Sequence, residues 1–244
     1  MHDPIDHFLE PARQNGLLLV LPDEAWERIA DSLEAIEVLS GAVLHESGVL
    51  PKHVYFPTTA VVSLLHALKD GTSAALALVG REGIVGISSF LGGGTIPCRA
   101  MVQNSGTAFR LHAGVLTTEF ERAGSTMHLL LRYTQTLITQ LAQTAVCNRH
   151  HSVEQQLCRW LLSSLDRLVG NELVMTQQTI AHTLGIRRGG ISEVAGRLQE
   201  AGIIDYRRGR IQVLNRSGLE ANVCECYGVV KLETERLLRS TPVF

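Results

Sequence analysis

The stretch Gln177–Ala195, "QQTIAHTLGIRRGGISEVA", decides the fold. Ile180, Ala181, Leu184, Ile186, Ile191 and Val194 are apolar or small, and Gly185 sits between two helical patterns, four residues after Ala181. These are the steric needs of a helix-turn-helix. A small residue lets the second helix cross closely, a glycine makes the turn, and later apolar residues seal the pair. An ordinary helical hairpin is the plainer alternative. "RRGG" is the odd part: it loosens the start of the second helix with two adjacent glycines, each about 1 kcal/mol worse than alanine in a helix interior.

The residues that follow favour the first reading. "IIDYRRGRIQVL" holds two short β runs around Arg207-Arg208-Gly209-Arg210, a hairpin where a winged helix-turn-helix carries its wing. From Thr176 to Arg216 the arginines are Arg187, Arg188, Arg197, Arg207, Arg208, Arg210 and Arg216, against only Glu193, Glu200 and Asp205. The whole chain carries a net charge of -2, so positive charge is concentrated on this unit. Such a cluster is more often a solvated face. Here it falls on the start of the second helix and on the hairpin tip, the two places that would straddle a DNA backbone, and the planar guanidinium suits phosphate or a guanine edge.

Upstream, "SVEQQLCRWLLSSLDRLVG" predicts a helix from Ser152 to about Val169, with Val153, Leu157, Trp160, Leu161, Leu165 and Leu168 on one face and Gly170 at its end. From there the chain reads as three helices and a hairpin. Before it, "STMHLLLRYTQTLITQLAQTAVCNRH" predicts a long helix that Ser125 or Thr126 can cap. Met127, Leu131, Thr134, Ile138, Leu141 and Ala145 step by four and three along it. Periodicity leaves two readings open: a helix packed on its own domain, or a parallel seam in a homodimer. "CNRHH" is a candidate hinge. Between about Ala35 and Leu116, the runs "HVYFP", "AVVSLLHAL", "SAALALVG", "RAMVQN" and "TAFRLH", with a turn signal at Asp70-Gly71, predict an antiparallel sandwich or roll.

At 244 residues, with 45% hydrophobic and 19% charged residues, the chain belongs to the globular class with one or two domains rather than to disordered chains. No run approaches the roughly 18 apolar residues of a membrane span, and "MHDPIDHFLEPARQNG" lacks the order of a signal peptide, so no membrane partner and a cytoplasmic location are expected. Five scattered cysteines, Cys98, Cys147, Cys158, Cys224 and Cys226, read as free thiols.

The order of β-rich domain, long helix and winged helix-turn-helix resembles the Crp/Fnr family of bacterial transcription regulators. "MTQQTIAHTLGIRRGGISEVAGRLQEAGIIDYRRGRIQVLN" is similar to that family's C-terminal signature, and the resemblance runs from about Gly16 to Leu238. It implies an α+β fold: an N-terminal antiparallel β-roll (cupin-like jelly roll) over 1–122, a dimerisation helix and hinge over 123–150, and a winged helix-turn-helix over 151–244. It also implies a homodimer whose two recognition helices enter successive major grooves of a roughly palindromic double-stranded site, and it leaves room for RNA polymerase as a partner.

Carried over residue by residue, the resemblance thins in the sensor domain. Cyclic-nucleotide-binding members carry Gly-Glu after a strand, then Arg-Ser or Arg-Thr before an alanine. In "GIVGISSFLGGGTIPCRAMV", Gly86 and Ala100 fit, but Ile87 stands at the glutamate position and Cys98-Arg99 at the phosphate-binding pair. A cyclic phosphate without its arginine would be poorly compensated, and a shift of one residue in a strand turns a side chain to the other face. Neither cyclic AMP nor cyclic GMP is therefore the expected effector. Gly92-Gly93-Gly94 lacks the Lys-Ser/Thr of a P-loop. With no cysteine before Cys98, the N-terminal thiolates of the iron-sulfur branch are missing too, and no cofactor is expected.

Cys147, His150, His151 and Cys158 are soft ligands close in sequence, but their spacing is not that of a zinc site, so helix-junction packing is the reading and no metal is expected. Cys224-Glu225-Cys226 has one residue between its thiols rather than two and reads as structural. No nucleophile elbow, His-Glu-x-x-His or Walker motif occurs, nothing in the sequence pairs Glu82 or Glu119 as catalytic acids, and no enzyme is expected.

The expectation is thus a sequence-specific DNA-binding regulator. Arg188 is the candidate for a base or phosphate contact and Arg187 for the backbone beside it. Thr176 and Gln178 are placed to donate to phosphate, and Arg208 and Arg210 to pair with it from the wing. Ser192 and Glu193 lie one helical step beyond Arg188; Glu193 either accepts from cytosine N4 or is solvated or salt-bridged. In the pattern that the resemblance implies, Gly189 falls where a glutamate reads bases and Gly190 where a threonine or serine contacts phosphate, so both side-chain contacts are lost while the helix start can approach phosphate through its N–H groups. The rival readings are a regulator gated by an unidentified small molecule in the roll, and a protein-interaction module that keeps the fold without binding DNA.

Overall fold

A computed structural model of the chain describes residues 11–68, 73–93, 95 and 97–239. The Asp70-Gly71 turn and Gly94 lie outside the described residues. Two short helices, α1 (Gly16–Leu19) and α2 (Asp23–Ile29), lead in. Buried Asn15 holds them to the roll: its Oδ1 accepts from the N–H groups of Leu17 and Leu18, and its Nδ2 donates to the carbonyls of Pro57 and Gly83. Neither helix is long enough to show an apolar period, and the sequence reading has no helix there.

Seven antiparallel strands follow: β1 (Glu34–Val38), β2 (Val43–His45), β3 (His53–Pro57), β4 (Val61–Ala67), β5 (Ser73–Val79), β6 (Arg99–Asn104) and β7 (Gly106–His112). They form two sheets, ordered β1-β7-β3 and β2-β6-β4-β5. All five runs expected from the sequence are strands. Val54, Phe56, Phe109 and Leu111 of the first sheet pack on α1, α2 and α3 (Ala113–Glu121). In the second sheet Val62, Leu64, Val79 and Ala100 form a further cluster, joined by Leu137 of the long helix.

The long helix, α4, spans Ser125–His150. Its N-cap is Gly124, with no side-chain cap, so neither Ser125 nor Thr126 caps it. Leu129, Leu130, Tyr133 and Leu137 face the roll, and the Tyr133 hydroxyl donates to the carbonyl of Ile84 (2.9 Å). The expected "CNRHH" hinge shrinks to His151 and Ser152, because α4 continues through His150 and α5 (Val153–Leu165) starts at once from a Ser152/Gln155 capping box. α5 stops at Leu165 rather than near Val169, and the chain turns through Gly170 at φ +103°.

A three-stranded sheet, β8 (Glu172–Val174), β9 (Ile204–Arg207) and β10 (Arg210–Val213) in the order β8-β10-β9, flanks α6 (Gln177–Leu184) and α7 (Arg188–Glu200). Beyond the hairpin, where the sequence reading stopped, come α8 (Arg216–Asn222) and α9 (Glu225–Leu238), and α9 packs back along α4. The outer face of the second roll sheet meets this C-terminal unit, which is why β4 is buried on both faces over Val61–Leu65. Ser63 donates to Gln103 (2.9 Å) and Gln103 to Ser164 of α5 (3.1 Å). Gln140 of α4 accepts from the Leu78 N–H (2.6 Å) and donates to its carbonyl (3.2 Å).

Candidate nucleic-acid interface

The turn between α6 and α7 forms as its residues demand. Gly185 takes φ +67°, which only glycine adopts without strain, and the Ile186 N–H returns to the Ala181 carbonyl (2.9 Å). Ile180, Ala181, Leu184, Ile191 and Val194 are buried in one cluster with Leu173, Ile204 and Ile211 of the sheet, so the two helices cross on a closed core. α7 begins at Arg188, and Gly189 and Gly190 occupy its first turn. There the Gly190 N–H donates to the Arg187 carbonyl (3.0 Å), while the N-cap, Arg187, supplies no side-chain bond to the first turn. The glycines therefore sit where a helix frays rather than in its interior. A Cβ on Gly189 would meet nothing within 4 Å.

The wing is a two-residue hairpin. Arg208 (φ 50°) and Gly209 (φ 77°) are both left-handed, as in a type I′ turn, and Arg210 pairs with Arg207. The Tyr206 hydroxyl donates to the Met175 carbonyl (2.9 Å), fastening the wing to the approach to α6. Burial pushes the Tyr206 hydroxyl above its ordinary pKa, and the Arg188 cation nearby opposes that rise.

Thr176, Gln178, Arg188 and Arg208 line one open concavity, bounded also by Gln177, Tyr206 and Gly209. Four side chains chosen from sequence thus converge between the starts of α6 and α7 and the wing tip. Two of them have local duties: the Thr176 hydroxyl accepts from the Thr179 N–H (3.1 Å) and caps α6, and Gln178 bonds His182 (2.6 Å). Arg187 is exposed beside them. Gln177 and Tyr206 complete the lining of the concavity, positions that an aromatic at the wing and a polar residue at the start of α6 signal in the sequence.

Ser192 and Glu193 are engaged otherwise. The half-buried Ser192 hydroxyl lies 2.6 Å from Gln177 Oε1 and 3.1 Å from the Arg188 carbonyl, so it braces α7 against α6. Glu193 takes the salt-bridged alternative, with Arg197 at 2.7 Å. Arg210 pairs with Glu172 across the sheet (2.5 Å). Arg197 also pairs with Glu154, Arg207 with Asp205, and Arg216 with Asp166 and Glu220. Of the seven arginines, only Arg187, Arg188 and Arg208 have no acidic partner among the described residues; Arg188 and Arg208 line the concavity, and Arg187 is exposed just before Arg188.

On α4 the stripe expected from sequence is not the face that packs on the roll. Leu131 is 41% exposed, Ile138 52% and Leu141 36%; Ala145 is exposed, and Met127 and Thr134 are half-buried. In the roll, Ile87 packs among apolar side chains, Cys98 is buried in the second sheet's cluster, and Arg99 is bonded to Glu46 (2.8 Å). Glu82 and Glu119 do have partners: Glu82 meets Arg167 (2.7 Å), and Glu119 meets Arg28 (2.7 Å) and Arg122 (2.9 Å). Each is a structural ion pair.

All five cysteines are free and buried. No described helix is long and apolar enough to cross a membrane.

A family model described as a Crp-like helix-turn-helix domain matches residues 155–222. No curated protein matches the sequence. Among solved structures, the chain is similar to FixK2 from Bradyrhizobium japonicum (16% identity over 79% of this chain and 98% of that one, TM-score 0.65). It is also similar to a transcriptional regulator of the CRP/FNR family from Thermus thermophilus (18%, 77% and 97%, TM-score 0.62) and to the c-di-GMP responsive global regulator CLP from Xanthomonas campestris (16%, 79% and 99%, TM-score 0.62). At these identities the likeness is one of fold. Residues 155–222 are a Crp-like helix-turn-helix domain, and the chain as a whole has the fold of the Crp/Fnr transcriptional regulators.

Proposed function

We propose that this chain is a homodimeric, sequence-specific DNA-binding regulator of transcription that acts on a roughly palindromic site and does not respond to cyclic AMP. The concavity between α6, α7 and the wing carries the reading, because two of the three arginines without acidic partners among the described residues, Arg188 and Arg208, line it, and the third, Arg187, is the exposed residue just before Arg188. Arg188 reaches a base edge or phosphate, Arg187 and Arg208 hold the backbone, and Thr176 and Gln178 add hydrogen bonds to phosphate. With Ser192 and Glu193 engaged within the protein, readout rests on Arg188 and on DNA shape. Arg210 contributes less than its position suggests, since Glu172 neutralises it. The exposed stripe on α4 supports the homodimer. In this reading residues 1–122 are the sensor, 123–150 the dimerisation helix and hinge, and 151–244 the DNA-binding domain.

A salt titration on duplex DNA tests the core of the proposal. Phosphate contacts make log affinity fall with log salt by about 0.9 per phosphate neutralised, and Arg208→Ala should make that slope shallower by about one contact. Absence of binding even at low salt would refute it. The Arg99–Glu46 pair and the apolar setting of Ile87 support the cyclic-nucleotide part. A nucleotide at about 100 times its dissociation constant would stabilise the protein by roughly 2.7 kcal/mol, so a clear thermal shift with cyclic AMP would overturn that part alone.

A further inference from the structure

The end of α4 and the start of α9 bring together four soft ligands that the sequence keeps apart. Cys147 and His151 lie one turn apart at the end of α4; Cys224 caps α9, and Cys226 lies in its first turn. The three sulfurs and a ring nitrogen of His151 all lie within 4.8 Å of one another. The Cys147 and Cys224 sulfurs are 3.6 Å apart, as are the Cys226 sulfur and His151 Nδ1. These four are not the set grouped from sequence: His150 is exposed, and Cys158 is replaced by the Cys224–Cys226 pair.

We propose that Cys147, His151, Cys224 and Cys226 form a structural zinc site of the Cys3His type. Zinc takes thiolate sulfur at about 2.3 Å and imidazole nitrogen at about 2.0 Å in a tetrahedron, which sets the S···S edge near ~3.8 Å and the S···N edge near ~3.5 Å. The Cys147–Cys224 and Cys226–His151 separations fit these edges to within a few tenths of an ångström, and all four ligand atoms lie within 4.8 Å of one another. The residue behind the histidine fits as well. Glu225 Oε2 lies 3.3 Å from His151 Nε2, so a carboxylate stands behind the ring while Nδ1 is the nitrogen that faces the Cys226 sulfur, the placement that outer carboxylates take on metal-bound histidines.

Charge gives an independent argument. Loading displaces three thiol protons to solvent, and one zinc dication with three thiolates leaves a net charge of -1. Arg159, buried beside the cluster, shares a cavity lining with Cys226. Its Nη1 donates to Thr144 (3.3 Å), and its Nε has no partner among the described residues. A buried guanidinium without a carboxylate is costly unless an anionic centre lies nearby, and the loaded site is such a centre. The ion would fasten the last turn of α4 to the first turn of α9, beside the two-residue link from which α5 departs.

The test uses the full chain, purified under reducing conditions without chelator. One zinc per protomer is expected, lost in Cys147→Ser and Cys226→Ser and retained in Cys98→Ser, whose thiol lies in the roll. Metal-free wild-type protein titrated with cobalt(II) should develop the visible bands of a tetrahedral thiolate site and saturate at one equivalent, which keeps the proposal testable if a serine variant fails to fold. Chelation should lower the Tm of the wild type but not that of a folded Cys226→Ser variant. Reduced wild-type protein that takes up neither zinc nor cobalt overturns the site, as does a Cys147–Cys224 disulfide that persists in protein purified under reducing conditions. Zinc content unchanged in both serine variants overturns it equally.

Discussion

Gly189 has no side chain at the point where α7 meets solvent, and the space beside it is empty. Replacing it by glutamate should leave the fold intact. A first-turn glutamate complements the helix dipole and improves on glycine's helix propensity, together worth about 0.5–1.5 kcal/mol, so Tm should stay level or rise. Sequence preference should change, measured by selecting bound fragments from random DNA with each protein; identical selected sites would show that this helix start does not face bases. Glu119 presents the opposite case, a buried carboxylate whose role is structural. Hydrogen bonding from Arg28, outweighing the effect of burial, holds its carboxyl below the usual carboxylate range. A group whose pKa is depressed on folding stabilises fully above its unfolded pKa and ceases to do so as pH falls through its folded one. Wild-type stability should therefore drop on acidification below about pH 4.3, the ordinary glutamate value, with a slope to which Glu119 contributes. Glu119→Gln should cost about 1–3 kcal/mol at neutral pH and make the acid limb shallower, as read from urea denaturation at stepped pH. An unchanged acid limb would remove Glu119 from the account.

Among the elements, α4 shows what a sequence period can and cannot decide. "HLLLRYTQTLITQL" is apolar on two faces: Leu129, Leu130, Tyr133 and Leu137 cover the roll, while Leu131, Ile138 and Leu141 point away from it. Both faces satisfy a helical period, so the pattern shows a helix without saying which stripe is inward. Ile138, in the middle of the outer stripe and 52% exposed, separates the two. If the proposed homodimer forms through this stripe, Ile138→Glu should leave the protein monomeric in sedimentation velocity at micromolar concentration, where the wild type is dimeric, while Tm falls by no more than the loss of the dimer explains. A variant that remains dimeric would exclude this seam. The helix-turn-helix and wing were legible because their signals are local: Gly185 at the turn, Gly209 in the hairpin and apolar residues at fixed offsets. The arginine count overstated the free charge, because Glu154, which takes Arg197, is 43 residues away and Glu172, which takes Arg210, is 38. The sulfur cluster was illegible for the same reason, with 77 residues between Cys147 and Cys224. α8 escaped notice because its seven residues, opening "RSGLE", carry little apolar signal beyond Leu219.

Across the whole molecule, the roll and the C-terminal unit meet at a junction made both of apolar side chains, Val61 and Leu78 joining the C-terminal core, and of polar contacts. Gln103–Ser164 and the Gln140–Leu78 pair cross or flank it, and its one buried ion pair among the described residues joins Glu82 of the roll to Arg167 beyond α5. The fit is close there, since a Cβ on Gly80 would lie 2.7 Å from the Arg167 stem. Arg167 Nη1 also donates to the Ser163 carbonyl (2.7 Å), so the guanidinium ties the end of α5 to the loop after β5. Removing one partner of such a pair is worse than removing both, because the remaining charge keeps its desolvation cost without compensation. Arg167→Ala should therefore cost about 3 kcal/mol, a fall in Tm of roughly 6–12 °C for a chain of this size. The double variant Glu82→Gln/Arg167→Met should recover a good part of that loss, because an uncharged pair in the same volume leaves no stranded ion. If the pair only decorates the junction, the losses of Glu82→Gln and Arg167→Met, each measured alone, will add and the double will be the least stable of the three. If it joins the units, the double variant will be more stable than Arg167→Met alone, and proteolysis at the His151–Ser152 link, accelerated in that single variant, will return towards the wild-type rate.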